Sequence, residues 1–478
     1  MLPLIILLFF SRVVAQGLGS VLEIHPQLTT WSCTVAHGCI PRRTSVVLDS
    51  FARPIHARGS DKPCFNQTGF LYDSVCNDTA TCLANCVMEG VQDYASHGVF
   101  TYPSRSYPYS NKLPPHKLPA RYVQAPHGAE NSVLELRQLN GSGYPVSPRV
   151  YLLNEDGRQY QMMKLLNREV SFDINVSKLP CGMNSAMYLS EMDRFGGAGK
   201  KNPGGAMYGT GYCDAQCPKL PFINGEANTL RKGSCCNEFD IWEGNSEATA
   251  FTAHPCNITG VYRCTGDFCG VDGVCSQTGC GINPYSTGAR NFYGRGLTVD
   301  TSQTITVVTQ FHAPRHGVLE SVHRLYIQRG VVLGARKMTV RSPRKSHKST
   351  SSTTKTSFAA SATKTTSHQP KPTNRDTLAE SFCKAIDAET YLGLGGMQAM
   401  GDALNRGMVL VFSVWWDEES GMGWLDSGKA GRCSAGSGYP KFIVKQEQNP
   451  SVRFSNIKYG EIGSTFKLPV RGAGQKQH

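Results

Sequence analysis

EVSFDIN, residues 169–175, alternates between polar and apolar side chains. On an extended strand, Val170, Phe172 and Ile174 would therefore share one face. Segments with the same period of two recur along the chain, at residues 148–154, 304–312, 324–333 and 407–417. Helical spacing is found in residues 395–407, and the chain carries 49 Gly and 26 Pro. The pattern predicts an all-β protein, a large sandwich of two antiparallel sheets with a few short helices.

The chain opens with MLPLIILLFFSRVVAQ, an apolar run that ends in small residues at Val13 and Ala15. This pattern indicates a signal peptide over residues 1–15 that is too short to span a bilayer. No later stretch reaches the ~18 apolar residues of a transmembrane helix. We therefore expect a secreted, soluble protein with no membrane partner. Strand patterns continue without a linker, which predicts one domain over residues 16–470 and a tail at 471–478.

The chain contains 18 cysteines, an even number. In a secreted protein such cysteines form disulfides more readily than zinc sites, so we expect no metal and no cofactor. Five N-glycosylation sequons agree with passage through a secretory pathway. They begin at Asn66, Asn77, Asn140, Asn175 and Asn257.

The formal net charge of +13 is concentrated in one segment. Residues 336–375 carry ten Lys or Arg and no acid, so the remainder of the chain is only about +3. That segment is rich in Ser, Thr and Lys, which predicts a disordered insertion within the domain at about residues 342–374. A solvated loop is the simpler interpretation, a site for acidic polysaccharide the alternative. We therefore expect no nucleic-acid partner.

CCNEFDIWEGN, residues 235–245, places three acids on an otherwise apolar strand. Glu238 and Asp240 are two apart and share a face, about 6.7 Å apart along the strand. Glu243 has the wrong parity, unless a bulge or bend inserts one residue and returns it to that face. With a bulge, the two Glu side chains could lean to the roughly 5 to 5.5 Å separation of a retaining glycosidase.

In that arrangement one carboxylate attacks the anomeric carbon and the other protonates the departing oxygen. Asp240 could orient Glu238 while its charge helps to keep Glu243 protonated. As a bare pattern, E-x-D-x-x-E is also explained by a solvated strand face.

The surrounding sequence resembles glycoside hydrolase family 7, the fungal-type cellulases, which have a concanavalin-like β-jelly-roll fold. The resemblance covers about residues 17–335 and 376–470. Besides CCNEFDIWEGN and AHPC, the matching segments are LTTWSC, TSVVLD, CGMNSAMYLSEMD, YGTGYCDAQCP, GCGINPY, FYGRG, GMVLVFSVWWD, WLDSG and FSNIKYGEIGST.

By position, the resemblance implies that Glu238 is the nucleophile, Glu243 the acid/base and Asp240 the carboxylate that supports the nucleophile. Further residues match positions around the cleaved bond: Tyr188, Asp214, Gln216 and His254. Tyr188 and His254 could instead be satisfied core polar groups, and Asp214 a turn residue. Trp415 and Trp424 match the two stacking platforms nearest the cleavage point, because aromatic rings stack on sugar faces.

The chain also departs from the family. Ala52 and Pro54 stand where relatives carry tryptophan platforms, and only Arg53 between them is retained as a substrate-binding residue. Thr278 and Gly281 replace the acids of the family's product site.

The lengths of the loops resemble two different branches of the family. Residues 229–234 and 425–432 form short segments, like those of the endoglucanase branch. In contrast, the extra pair Cys264 and Cys269 belongs to a longer segment like that of cellobiohydrolases.

The family pattern also implies a pairing of all the cysteines. The pairs are 33 with 39, 64 with 86, 76 with 82, 181 with 433, 213 with 236, 217 with 235, 256 with 275, 264 with 269 and 280 with 383. Adjacent Cys235 and Cys236 would then fix the catalytic strand to the loop at residues 212–218.

The sequence therefore predicts a secreted, monomeric, retaining endo-β-1,4-glucanase that acts on β-1,4-glucan. Within the same fold, the alternatives are a cellobiohydrolase or a glycanase acting on xyloglucan, xylan or mixed-linkage glucan. An alternative of another class is a carbohydrate-binding jelly roll without turnover, which the missing platforms suggest.

Overall fold

A computed structural model describes residues 17–104, 131–314, 317–333 and 376–467. The expected signal peptide, the insertion at 342–374 and the tail at 471–478 lie outside the described residues.

The strands in chain order are β1 (Gly17–Leu18), β2 (Gln27–Thr34), β3 (Gly38–Leu48), β4 (Ile55–Ala57), β5 (Cys86–Met88), β6 (Val99–Tyr102), β7 (Val133–Arg137), β8 (Arg149–Leu153), β9 (Met162–Met163), β10 (Arg168–Lys178), β11 (Met183–Ser190), β12 (Phe222–Ile223), β13 (Glu226–Ala227), β14 (Gly233–Cys235), β15 (Glu238–Gly244), β16 (Thr249–His254), β17 (Tyr262–Cys264), β18 (Cys280–Ile282), β19 (Tyr293–Gly294), β20 (Val299–Asp300), β21 (Ile305–His312), β22 (Ser321–Gln328), β23 (Val331–Leu333), β24 (Thr377–Ala379), β25 (Met408–Trp416) and β26 (Ser451–Glu461).

The helices are α1 (Thr79–Asn85), α2 (Glu380–Ala385), α3 (Glu389–Gly393), α4 (Gly396–Arg406), α5 (Gly423–Asp426) and α6 (Pro440–Gln446), with 3-10 turns at Ser50–Ala52, Tyr94–His97, Gly205–Tyr208 and Gly266–Cys269. The predicted helix is α4, and its Met397, Met400 and Leu404 are buried. No helix in the described ranges combines the length and the apolar composition needed to cross a membrane.

Two large sheets share strand β3. The first sheet runs β3, β8, β25, β11, β15, β16, β18, and each neighbouring pair is antiparallel. The second runs β3, β2, β26, β10, β21, β22, with β7 also beside β26. Residues 38–45 of β3 pair with β2, and residues 45–48 pair with β8. The architecture confirms the predicted all-β sandwich, although the pair β2 and β26 is parallel.

Apolar faces of the two sheets pack against each other. Val170, Phe172 and Ile174 of β10 are all fully buried, as their alternation predicts. The ring of Phe172 lies 6.3 Å from that of Trp242 on β15, an edge contact between the sheets. A fully buried aromatic side chain of this kind stabilises the fold by roughly 1.5 to 3 kcal/mol. The opposite face of the first sheet is therefore free to carry polar side chains.

Nine disulfides join the eighteen cysteines, all of which lie in the described ranges. Every pair is the one that the resemblance implied. The sulfurs of Cys213, Cys217, Cys235 and Cys236 are thus consumed in two bonds and are not thiolate ligands. These two bonds tie the start of the acidic strand to the preceding loop.

Candidate active site

The acidic strand β15 contains the bulge that its sequence requires. Opposite β11, Trp242 pairs with Met187 and Asp240 pairs with Tyr188, so Ile241 is the extra residue. The pairing with β16 shifts between Asp240 and Glu243 as well. Because of this insertion, Ile241 and Trp242 are both in the core, and Glu243 returns to the face of Glu238 and Asp240.

The three acids form the middle column of a polar surface across three strands. In this register Glu238 lies between Ser190 and His254, and Asp240 lies between Tyr188 and Thr252. The surface is the floor of a cavity of about 1050 Å³. Among the predicted site residues, the following line this cleft: Tyr188, Asp214, Gln216, Glu238, Asp240, Glu243, His254, Trp415 and Trp424.

Glu238 is held by the neighbouring loop. The backbone N–H of Ala215 donates a hydrogen bond to Oε2 of Glu238, at 2.9 Å. Disulfides on both sides of Ala215, from Cys213 and Cys217, fix this donor to the strand. Burial raises the pKa of Glu238 well above its usual range, as do the charges of Asp240 and Asp214, whereas the Ala215 hydrogen bond favours ionisation.

A chain of hydroxyl groups connects Tyr188 to Asp214. The hydroxyls of Tyr188 and Tyr212 are 2.9 Å apart, and Tyr212 donates to Oδ2 of Asp214 at 2.6 Å. Oδ1 of Asp214 accepts from the backbone N–H of Gln216 at 2.8 Å. Burial raises the pKa of Asp214. Asp214 is therefore both part of a turn and part of the cleft wall.

Asp240 pairs with His254. Nε2 of His254 lies 3.0 Å from Oδ2 of Asp240. Nδ1 of His254 lies 2.9 Å from the carbonyl oxygen of Ser276 and, as a donor to it, leaves Nε2 to face Asp240. Burial alone lowers the pKa of His254, but the hydrogen bond and the charge of Asp240 outweigh burial and raise it.

Glu243 is half-buried and meets a different set of groups. The side-chain amide of Asn184 donates to Oε1 of Glu243 at 2.8 Å, and its oxygen accepts from the N–H of Gly244 at 3.0 Å. Burial and the charge of Asp240 raise the pKa of Glu243 to about 8, against the opposing effect of Asn184. A group with this pKa carries its proton at neutral pH.

Two tryptophans form an aromatic surface in the same cleft. The rings of Trp415 on β25 and Trp424 on α5 lie 6.4 Å apart and are inclined by 28°. Trp424 is 48% exposed, so its ring is available to a ligand. In contrast, Trp242 is fully buried and packs in the core.

Arg53 does not belong with these residues, and its expected place in the cleft requires correction. Its side chain is fully buried, and Nη1 lies 2.6 Å from Oε2 of Glu23. Nη2 donates to the carbonyl of Leu48 at 2.7 Å. The 3-10 turn at Ser50–Ala52 directs Arg53 inward and leaves Phe51 and Ala52 in the cleft lining.

Sequence reasoning missed several residues of the site, among them Phe51, Asn184 and Tyr212. Phe51 is exposed and stacks on Phe65, with ring centres 5.7 Å apart. Parity could have identified Asn184, because residues 184 and 188 share a face of β11. No local pattern marked Phe51 or Tyr212.

Comparison with known proteins adds independent findings. The model of the family described as "Glycosyl hydrolase family 7" matches residues 19–106 and 122–466. Endo-beta-1,4-glucanase celB of Aspergillus oryzae is 43% identical over 461 residues, which cover 95% of this chain and 96% of the relative. Endoglucanase 1 of Humicola insolens is 42% identical over 457 residues, which cover 95% of this chain and 99% of the relative.

Solved structures give the same relationship. The native structure of Humicola insolens endocellulase EGI is similar with a TM-score of 0.79 and 41% identity, covering 94% of this chain and 100% of that one. A family 7 cellobiohydrolase from Daphnia pulex is similar with a TM-score of 0.76 and 30% identity. The match covers 94% of this chain and 100% of that one.

Proposed function

Since this chain belongs to glycosyl hydrolase family 7, we propose that it is a secreted, retaining endo-β-1,4-glucanase that cuts internal bonds of cellulose or related β-glucans. The observation that carries the proposal is the bulge in β15, which brings Glu238 and Glu243 to one face in unlike surroundings. Two such carboxyl groups are the machinery of a double displacement.

In this mechanism Glu238 attacks the anomeric carbon and Glu243 protonates the departing glycosidic oxygen. The Ala215 N–H supports the ionised form of Glu238. The raised pKa of Glu243, about 8, keeps its proton available. Glu243 then removes a proton from the water that releases the sugar from Glu238, which restores both groups.

The other cleft residues position these two acids and the sugar. Asp240, paired with His254, raises the pKa of Glu243 through its charge and so helps to keep this acid protonated. Trp415 and Trp424 would stack on sugar faces beside the bond that is cut. The hydroxyl chain from Tyr188 to Asp214 would bind sugar hydroxyls in the same cleft.

Endo-action is supported by the cleft lining. Ala52 provides only a methyl group at the distal end, and Thr278 and Gly281 line the product side without a carboxylate. The segments that would roof the cleft are short, at residues 229–234 and 425–432. The Cys264–Cys269 segment reaches the edge of the cleft through Gln277, whose side chain donates to the carbonyl of Cys269.

Product analysis tests this function. The enzyme should lower the viscosity of carboxymethylcellulose rapidly relative to reducing-end release, and give mixed short oligosaccharides. Barley mixed-linkage glucan, xyloglucan and xylan belong in the same assay, because they decide the preferred glycan. Cellobiose as the dominant early product, with little loss of viscosity, would favour a cellobiohydrolase. Binding without hydrolysis would favour a carbohydrate-binding jelly roll.

Secretion and a monomeric state are part of the proposal. Nine disulfides suit an oxidising compartment. Expression with its own leader should deliver the enzyme to the culture medium, and light scattering should give the mass of one chain.

Introducing a ring at Ala52 should tighten the binding of long oligosaccharides. Ala52→Trp in the inactive Glu238→Gln background should bind cellohexaose about two- to twelvefold more tightly and leave the affinity for cellotriose unchanged, if a sugar platform contributes roughly 0.5 to 1.5 kcal/mol. Calorimetric titration measures both. Val35→Trp is the control, since Val35 is exposed in the turn between β2 and β3 and does not line the cleft. Equal gains from both substitutions would contradict this assignment of the distal platform.

A further inference from the structure

A buried arginine crosses the sandwich beneath the acidic strand. Arg324 lies on β22 in the second sheet and is only 1% exposed. Its Nη2 donates a hydrogen bond to the backbone carbonyl of Ile241 in the first sheet. Its Nε donates to Oγ1 of Thr309 on β21 at 3.1 Å. The side chain therefore spans the core between the two sheets.

Arg324 binds Ile241, the one residue that the bulge inserts. The ladder to β11 passes from Trp242 directly to Asp240, and the ladder to β16 passes from Glu243 to Asp240. Ile241 thus has no partner residue in either register. Because a buried carbonyl without a donor costs about 1 to 3 kcal/mol, the hydrogen bond from the guanidinium to Ile241 stabilises the bulge.

The cost of burying this charge argues against a role in packing alone. The guanidinium lies over the ring of Phe251, 4.4 Å from its centre. Burial lowers the pKa of Arg324, and in the described part of the chain the groups that act against burial are the hydroxyls of Tyr326 and Tyr293, not a carboxylate. A buried charge without an opposite partner is expensive, and an apolar residue would fill the space at lower cost.

We propose that Arg324 is a positioning residue for the active site: by binding the Ile241 carbonyl it holds the bulge in register and aims Glu243 relative to Glu238. The inference rests on the proposed function, because it assigns Arg324 to the acid/base side of that reaction. Glu238 precedes the bulge and is fixed separately by Ala215 and its two disulfides. Loss of Arg324 should therefore displace Glu243 more than Glu238.

Arg324→Met tests this separation, because methionine fills the space without a donor. Hydrolysis of an unactivated β-glucan should fall on the order of 10²-fold, the usual cost of misplacing a reacting group by about 1 Å. Glycosylation by 2,4-dinitrophenyl cellobioside, which needs no acid, should fall much less. In the variant, azide should accelerate breakdown of the glycosyl-enzyme, since attack by azide needs no general base.

Active sites are counted by trapping. The 2-deoxy-2-fluoro derivative of the same cellobioside should label Glu238 once per folded molecule in wild type and variant, and all rates are divided by this number. Phe311→Leu is the matched control, because Phe311 of β21 packs on Phe239, which precedes the bulge on β15, with ring centres 5.1 Å apart. It should lower the melting temperature and leave the ratio of the two substrate rates unchanged.

Arg324→Lys decides the question if the methionine variant does not fold. Lysine retains the charge and a single donor atom. The ratio of the two substrate rates in this variant should therefore lie between the ratio of the wild type and that of a variant without a donor. If the ratio of the two substrate rates, each divided by the number of trapped sites, equals that of the wild type in whichever variant folds, then Arg324 acts on stability alone. That result would overturn the inference. If wild type is neither trapped nor active on any β-glucan, the proposed function fails instead.

Discussion

Glu238→Gln is expected to abolish hydrolysis of soluble β-glucan, with kcat reduced on the order of 10⁴-fold or more. The amide cannot attack the anomeric carbon, and no other carboxylate receives the Ala215 hydrogen bond in this position. The substitution changes no volume, and the glutamine oxygen still accepts from Ala215. The cleft should therefore retain its shape and its affinity for oligosaccharides.

Reducing-sugar release from carboxymethylcellulose measures the effect. Glu155→Gln is a suitable control, since Glu155 lies on the surface, 3.5 Å from Arg42 and half exposed. It should keep wild-type activity, as exposed ion pairs contribute little. Wild-type activity of Glu238→Gln, with an unchanged melting temperature, would remove Glu238 from the mechanism.

The local sequence pattern was sufficient to predict strands and their buried faces, but not which distant strands pair. Alternation at Val170, Phe172 and Ile174 indicated both a strand and its buried face, because one-sided burial enforces a period of two. The parallel pairing of β2 with β26 joins segments more than 400 residues apart. Nothing in either segment specifies that neighbour, since register with a distant strand depends on the assembled core.

The acidic strand shows where parity reasoning succeeds. Glu238, Asp240 and Glu243 could share a face only with one inserted residue, and that requirement predicted the bulge before its position was known. Which residue is inserted depends on Ile241 and Trp242 packing into the core together. The support from Arg324 was invisible to sequence reasoning, because alternation alone does not say which face of β22 is buried.

Arg53 shows the opposite case. Its retention between two altered platform positions suggested a substrate contact, but the turn at Ser50–Ala52 rotates its side chain into the protein. There it pairs with Glu23, which comes from a distant part of the sequence. The residue identity at this position therefore corresponds, in this chain, to a structural ion pair rather than to a binding group.

Glu243→Gln should have a large effect that depends on the leaving group. Hydrolysis of unactivated β-glucan should fall by about 10² to 10⁴, the usual contribution of a positioned general acid. Formation of the glycosyl-enzyme from 2,4-dinitrophenyl cellobioside should be nearly preserved, because its phenolate departs without a proton. Azide should restore turnover of this substrate by attacking the intermediate directly, and the glycosyl azide should keep the β configuration.

The pH profile provides the second signature of Glu243. The protonated form is the active acid, so kcat/KM of the wild type should be retained below the pKa of Glu243, about 8, and lost as pH rises through it. Glutamine does not titrate, so this alkaline limb should be absent from the variant, whereas the acidic limb, which requires ionised Glu238, should remain. If the variant keeps the alkaline limb and shows no dependence on the leaving group, another residue supplies the proton. His254 would then be the group to substitute next, because it already contacts Asp240 in the same cleft.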